Sequence, residues 1–120
     1  VILVDTSVWV DHLRSGNATL AGELEAGQVL VHPFVIGELA CGTLRNRREV
    51  LTLLDRLPSA PTATQAEALE FLERRALMGR GIGFVDVHLL ASAALAAPAR
   101  LWTRDRRLAA VATDLDLAWE

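Results

Sequence analysis

Four acidic residues, Asp5, Glu38, Asp86 and Asp105, occupy positions in this chain where carboxylates can do joint chemistry. Asp5 follows directly on the apolar run Val1-Ile2-Leu3-Val4, and Asp105 follows Leu101-Trp102 after two intervening residues. Glu38 lies between Ile36 and Leu39 in a stretch that leaves the second apolar run. Asp86 comes just after Gly79, Gly81 and Gly83 and is flanked by Phe84, Val85 and Val87. An acid among such apolar neighbours is costly unless something compensates it. In open α/β sheets, sites form at the carboxyl ends of strands, so a single sheet edge can gather all four. Carboxylates brought together raise each other's pKa and repel. A divalent cation relieves that repulsion, and hard oxygen donors without partner histidines or cysteines suit Mg²⁺ or Mn²⁺ rather than Zn²⁺. Taken singly, each acid has a plainer reading. Asp5, Asp86 and Asp105 can cap helices, and Glu38 can be a partly exposed helix residue.

The elements that must position these acids alternate in type, which predicts an α/β domain with a mostly parallel sheet of about four to five strands and helices on both faces. Val1–Val4 is continuous enough for a strand buried on both faces. Asp5 or Thr6 caps a helix to about Leu13, and Asn17 caps a second that stops at Gly27. Val29-Leu30-Val31 is the next strand, and Pro33 opens a third helix to about Leu44. Asn46 starts a fourth, which Pro58 ends, and residues 59–62 are extended. Thr64 and Glu67 form a capping-box pattern ahead of a long helix. After the glycines, a small-residue helix runs from about Val85 to Ala97. Leu101-Trp102 is a short strand, Asp105 to Val111 a last helix, and Leu117-Ala118-Trp119 an edge strand.

At 120 residues and 52 % apolar, the chain fits a single domain, residues 1–120, with an ample core. No apolar run approaches the roughly 18 residues that cross a bilayer, so no membrane association is expected. Asp5 interrupts the opening apolar run, which argues against a signal peptide. Cys41 is the only cysteine, which fits a reducing cytoplasm. The net charge of -3 is unpromising for a protein that handles RNA, but the chain has no lysine and all 12 basic residues are arginines. Arginine makes bidentate phosphate contacts, and a cation-loaded acidic site loses much of its negative field. Charge therefore decides nothing.

Four segments bear a resemblance. Val4-Asp5-Thr6-Ser7-Val8-Trp9-Val10-Asp11-His12-Leu13-Arg14 resembles the opening of VapC-type PIN domains, toxin ribonucleases of type II toxin–antitoxin systems. Pro33-Phe34-Val35-Ile36-Gly37-Glu38-Leu39 is similar to their helix with the second acid. Residues 81–92, from Gly81 to Ser92, are similar to the segment with the third, and Leu101-Trp102-Thr103-Arg104-Asp105-Arg106-Arg107-Leu108 to the Thr-x-Asp element with the fourth. The likeness spans nearly the whole chain in order. It departs at Leu108, about where many members carry a further acidic or amide residue that bears on a second metal.

The resemblance implies a metal-dependent endoribonuclease. Asp5, Glu38, Asp86 and Asp105 would hold one or two Mg²⁺ or Mn²⁺ ions, partly through water, for hydrolysis of RNA phosphodiester bonds. It also implies a VapB-like antitoxin that blocks the site, and a homodimer. Thr103 and Ser7 carry hydroxyls that can orient a carboxylate or water, although for Ser7 a capping hydrogen bond is the favoured role. His12, His32 and His88 show no zinc-ligand spacing. Cys41 is expected as a small buried helix residue, and Trp9, Trp102 and Trp119 as core or interface. A two-component receiver domain would need paired acids after the first strand and a lysine near the end, and both are absent. A haloacid-dehalogenase-like phosphatase would need an Asp where Ser7 stands. The remaining alternative is a catalytically inactive PIN-like module that binds RNA or protein.

Overall fold

The computed structural model describes all residues, 1–120. The elements in chain order are β1 (Ile2–Val4), α1 (Thr6–Ser15), α2 (Ala18–Glu25), β2 (Val29–Leu30), α3 (Pro33–Ala40), α4 (Arg47–Arg56), α5 (Gln65–Arg74), α6 (Phe84–Leu95), β3 (Arg100–Trp102) and α7 (Arg106–Asp114). The three strands form one parallel sheet in the order β2-β1-β3. All three residues of β1 are buried. Because successive side chains point to opposite faces, both faces of the central strand are covered.

The sheet is narrower than the four to five strands expected. The two further segments are present, but each pairs through one bridge only: Val31 with Ser59, and Leu101 with Ala118. On the first edge, Val31 N–H donates to Pro58 O at 2.9 Å and Ala60 N–H to Val31 O at 2.8 Å. Pro58 and Pro61 bracket this bridge, and neither has an N–H with which to lengthen the ladder. On the other edge, Leu101 N–H donates to Leu117 O at 2.7 Å and Trp119 N–H to Leu101 O at 2.9 Å, and the Trp102 and Trp119 rings pack at a tilt with centroids 4.4 Å apart.

Helix signals in the sequence act largely as expected. The Asn17 side chain accepts from Leu20 N–H at 3.0 Å. Thr64 and Glu67 close both halves of their capping box, at 2.8 and 3.1 Å. Gly16 ends α1 with φ of +77°, a conformation that other residues adopt only with strain. α3 stops at Ala40, short of the expected Leu44. The Arg47 guanidinium reaches back to the Ala40 and Gly42 carbonyls, at 2.6 and 3.2 Å, and satisfies the end of the helix there. Cys41 consequently lies at this exposed helix end rather than buried within a helix.

The core is one continuous cluster built on Leu3, Val4, Val8, Leu20, Leu89, Leu90, Leu101 and Leu108. α6 is the most enclosed helix, buried without a break from Val87 to Ala93, as a helix apolar on all sides must be. It packs against β3 and α5, while α1 packs on α3 and α3 on α4. No helix is long and apolar enough to cross a membrane.

Candidate metal centre

The parallel sheet turns the carboxyl ends of β1, β2 and β3 to one edge, and the acids follow from there. Asp5 stands between β1 and α1, Asp105 immediately precedes α7, Glu38 lies in the second turn of α3, and Asp86 lies in the first turn of α6. Asp5 is buried. Asp86 is half-buried, and Glu38 and Asp105 are exposed.

Each carboxylate has one oxygen tied down. Asp5 Oδ2 accepts from Ser7 Oγ at 2.8 Å and from Thr103 Oγ1 at 2.7 Å. Those hydroxyls are themselves fixed by backbone donors, Arg104 N–H to Ser7 Oγ at 2.9 Å and Asp105 N–H to Thr103 Oγ1 at 3.0 Å. Asp5 occupies the N-cap position of α1, yet its side chain makes no capping bond. Ser7 likewise bridges Asp5 to the loop after β3 instead of capping. Asp105 Oδ1 does cap, accepting from the N–H groups of Arg107 and Leu108 at 2.9 and 3.0 Å. Asp86 Oδ2 accepts from Gly83 N–H at 3.0 Å. Glu38 Oε1 accepts from Thr6 Oγ1 at 2.5 Å. The second oxygen of all four has no hydrogen-bond partner within the chain.

The electrostatics are one-sided. Burial pushes the Asp86 carboxyl up from the ordinary range, and the charges of Asp5, Asp105 and Glu38 push it further, against the Gly83 N–H that favours ionisation. Asp86 thus lies within electrostatic reach of the other three. None of the four is ion-paired, although Arg104, Arg106 and Arg107 adjoin Asp105; Arg104 pairs instead with Asp11 at 2.8 Å. Arg107 lies across the glycine loop, where a Cβ on Gly81 (φ +82°) would meet its Cδ at 2.7 Å.

No three acidic, histidine or cysteine side chains form a ready-made cage around one point. The donor set is nevertheless that of a hard cation. It offers four carboxylates, each with one oxygen that has no partner within the chain, and Mg²⁺ commonly binds through one or two carboxylates and keeps several waters. The histidines do not contribute to such a set. His32 and His88 are buried, with His32 Nδ1 capping α3 through Phe34 N–H at 3.0 Å. His12 Nδ1 accepts from Asn17 N–H. Leu108, where the resemblance departs, is fully buried in the core and has no ligand atom to offer.

Comparison with known proteins shows the family. The PIN domain family model matches residues 2–114. The chain belongs to the PIN-domain family. This PIN domain is also 48 % identical over 118 residues to Ribonuclease VapC32 of Mycobacterium tuberculosis, in strain CDC 1551 / Oshkosh and equally in strain ATCC 25618 / H37Rv. The match covers 98 % of this chain and 95 % of each relative. Two features of the PIN domain's centre escaped the sequence reading. Thr6 was legible only as a helix cap, yet its hydroxyl holds Glu38. Gly83 was legible only as loop, yet its N–H holds Asp86. A hydroxyl next to a site acid was the available signal for the first, whereas a backbone donor leaves none.

Proposed function

We propose that this PIN domain is a VapC-type endoribonuclease in which Asp5, Glu38, Asp86 and Asp105 hold Mg²⁺ or Mn²⁺ for hydrolysis of RNA phosphodiester bonds. The observation that carries the reading is the set of four carboxylates without ion-pair partners, Asp86 and the three whose charges act on it, which a divalent cation would neutralise. The 48 % identity to proteins named as ribonucleases supports the same activity.

Bound at these carboxylates, such a cation supplies an activated water and charge neutralisation at the phosphate. The chain's own residues supply geometry. Thr103 and Ser7 fix Asp5 from two sides, so its free oxygen keeps one direction. Asp105 is held by two backbone amides at the α7 N-terminus. Thr6 and Gly83 do the same for Glu38 and Asp86. No side chain is required as general base.

A VapB-like antitoxin is the proposed partner, and the apolar groove formed by Trp9, Leu13, Leu24, Val50, Leu53 and Leu57 offers such a partner a surface to cover. A homodimer and a cytoplasmic location complete the reading, both from family resemblance. The test is incubation of antitoxin-free protein with cellular RNA in Mg²⁺, in Mn²⁺ and in excess EDTA. Discrete fragments that disappear with EDTA are expected. Intact RNA after exposure to folded, metal-supplied protein would contradict the assignment.

A further inference from the structure

Two large aromatic rings stand exposed on the helices that carry Glu38 and Asp86. Phe34 is 43 % and Phe84 40 % accessible, both high for phenylalanine in a chain with an ample core. Both touch the same buried imidazole. The ring centroids of Phe34 and Phe84 lie 5.0 and 4.7 Å from that of His88, each meeting it edge-on at 74° and 80°. His32 packs beneath Phe34 at 5.0 Å. The rings are therefore held by a buried histidine pair, not free to collapse onto the surface.

Each ring shares a short helical segment with one acid. Phe34 and Glu38 are four residues apart on α3 and so lie on one face of it. Phe84 opens α6, two residues before Asp86 and next to Gly83, whose N–H holds that acid. The aromatic pair thus sits on the two helices that carry Glu38 and Asp86, Phe34 on the Glu38 face of α3 and Phe84 at the N-terminus of α6 beside the Gly83 N–H that holds Asp86. It shares no residue with the largely aliphatic groove along α1, α2 and α4, which is the surface suited to a protein partner.

We propose that Phe34 and Phe84 form a stacking subsite for an unpaired base of single-stranded RNA next to the phosphodiester being cut. The inference rests on the ribonuclease reading and adds to it a residue-level account of how substrate is placed. A base presents a π-face whatever its identity, and stacking on an aromatic side chain is worth about 1–3 kcal/mol per base.

The experiment is cleavage of a short RNA with one cut site, compared with the same RNA made abasic on either side of the cut. Wild type, Phe34→Leu and Phe84→Leu are assayed on each, with Mn²⁺ affinity measured in parallel. Leucine keeps apolar packing over His88 but removes the ring. The expected result is a roughly tenfold fall in kcat/KM for wild type on one abasic RNA. At least one variant should fall similarly on normal RNA, be indifferent to that abasic change, and retain wild-type Mn²⁺ affinity. Variants that cut normal RNA like wild type, or respond to the abasic change as fully as wild type, overturn the subsite and leave the ribonuclease reading standing. Unchanged cleavage with a loss of dimerisation overturns it in favour of a contact between copies of the chain. A wild-type protein that cuts no RNA removes both readings.

Discussion

Thr103 Oγ1 donates to Asp5 Oδ2 at 2.7 Å across 98 positions of sequence, joining the loop after β3 to the end of β1. The bond depends on the parallel pairing of Val4 with Trp102, which brings the two strand ends side by side. Asp105 N–H then holds Thr103 from behind, at 3.0 Å. The same hydroxyl therefore orients one acid of the centre while accepting the backbone of another.

Thr103→Val removes that hydroxyl without changing side-chain shape. It is expected to lower Mn²⁺ affinity or RNA cleavage by about 10- to 100-fold, the usual cost of losing a group that orients a metal ligand. Thr103→Ser should recover most of the loss. Manganese titration and cleavage assays on variants with unchanged circular dichroism check both outcomes.

Cation binding should stabilise the fold. At a free Mn²⁺ concentration about 100-fold above Kd, the gain is about 2.7 kcal/mol, on the order of 10 °C in Tm for a chain of this size. Thermal unfolding with and without Mn²⁺ measures it. Asp86→Asn should lose most of the increment, and EDTA should abolish it in wild type.

Acid sensitivity should trace in part to His32. Burial, and secondarily the nearby His88, lower its pKa from 6.5 to about 4. The folded ring stays neutral and accepts from Phe34 N–H, while the unfolded chain takes up a proton below 6.5. Its contribution is thus complete above pH 6.5 and is lost as pH falls towards 4, at no more than about 1.4 kcal/mol per pH unit. His32→Asn keeps a capping acceptor and removes the titration. Denaturant unfolding between pH 7 and 4 should show a flatter pH slope for this variant than for wild type.

Much of this molecule could be read from its residues, and the exceptions have physical causes. β1 was visible as an unbroken apolar run because both its faces are buried. The helix starts at Asn17 and Thr64 were visible because capping is local chemistry. The end of α3 was not, since Arg47, beyond the next turn, closes it. Strand count was overestimated because residues 59 and 118 are extended but pair only once, and pairing depends on neighbours that a local pattern does not contain. At the candidate site, the acids stood out by their position after strands. The directions of Asp5 and Ser7 did not: capping was an open role for Asp5 and the favoured one for Ser7, and only the arrival of Thr103 and the Arg104 N–H turns both to bridging.

Asp5, Glu38, Asp86 and Asp105 are proposed to share bound divalent metal, one ion or two. The most direct measurement is anomalous X-ray diffraction at the manganese edge from crystals grown with Mn²⁺. An anomalous peak enclosed by these four side chains is expected, touching at least Asp5 and Asp86, with the remaining contacts direct or through water. Mn²⁺ found only elsewhere on the surface, with the four carboxylates free of it, would contradict the shared site.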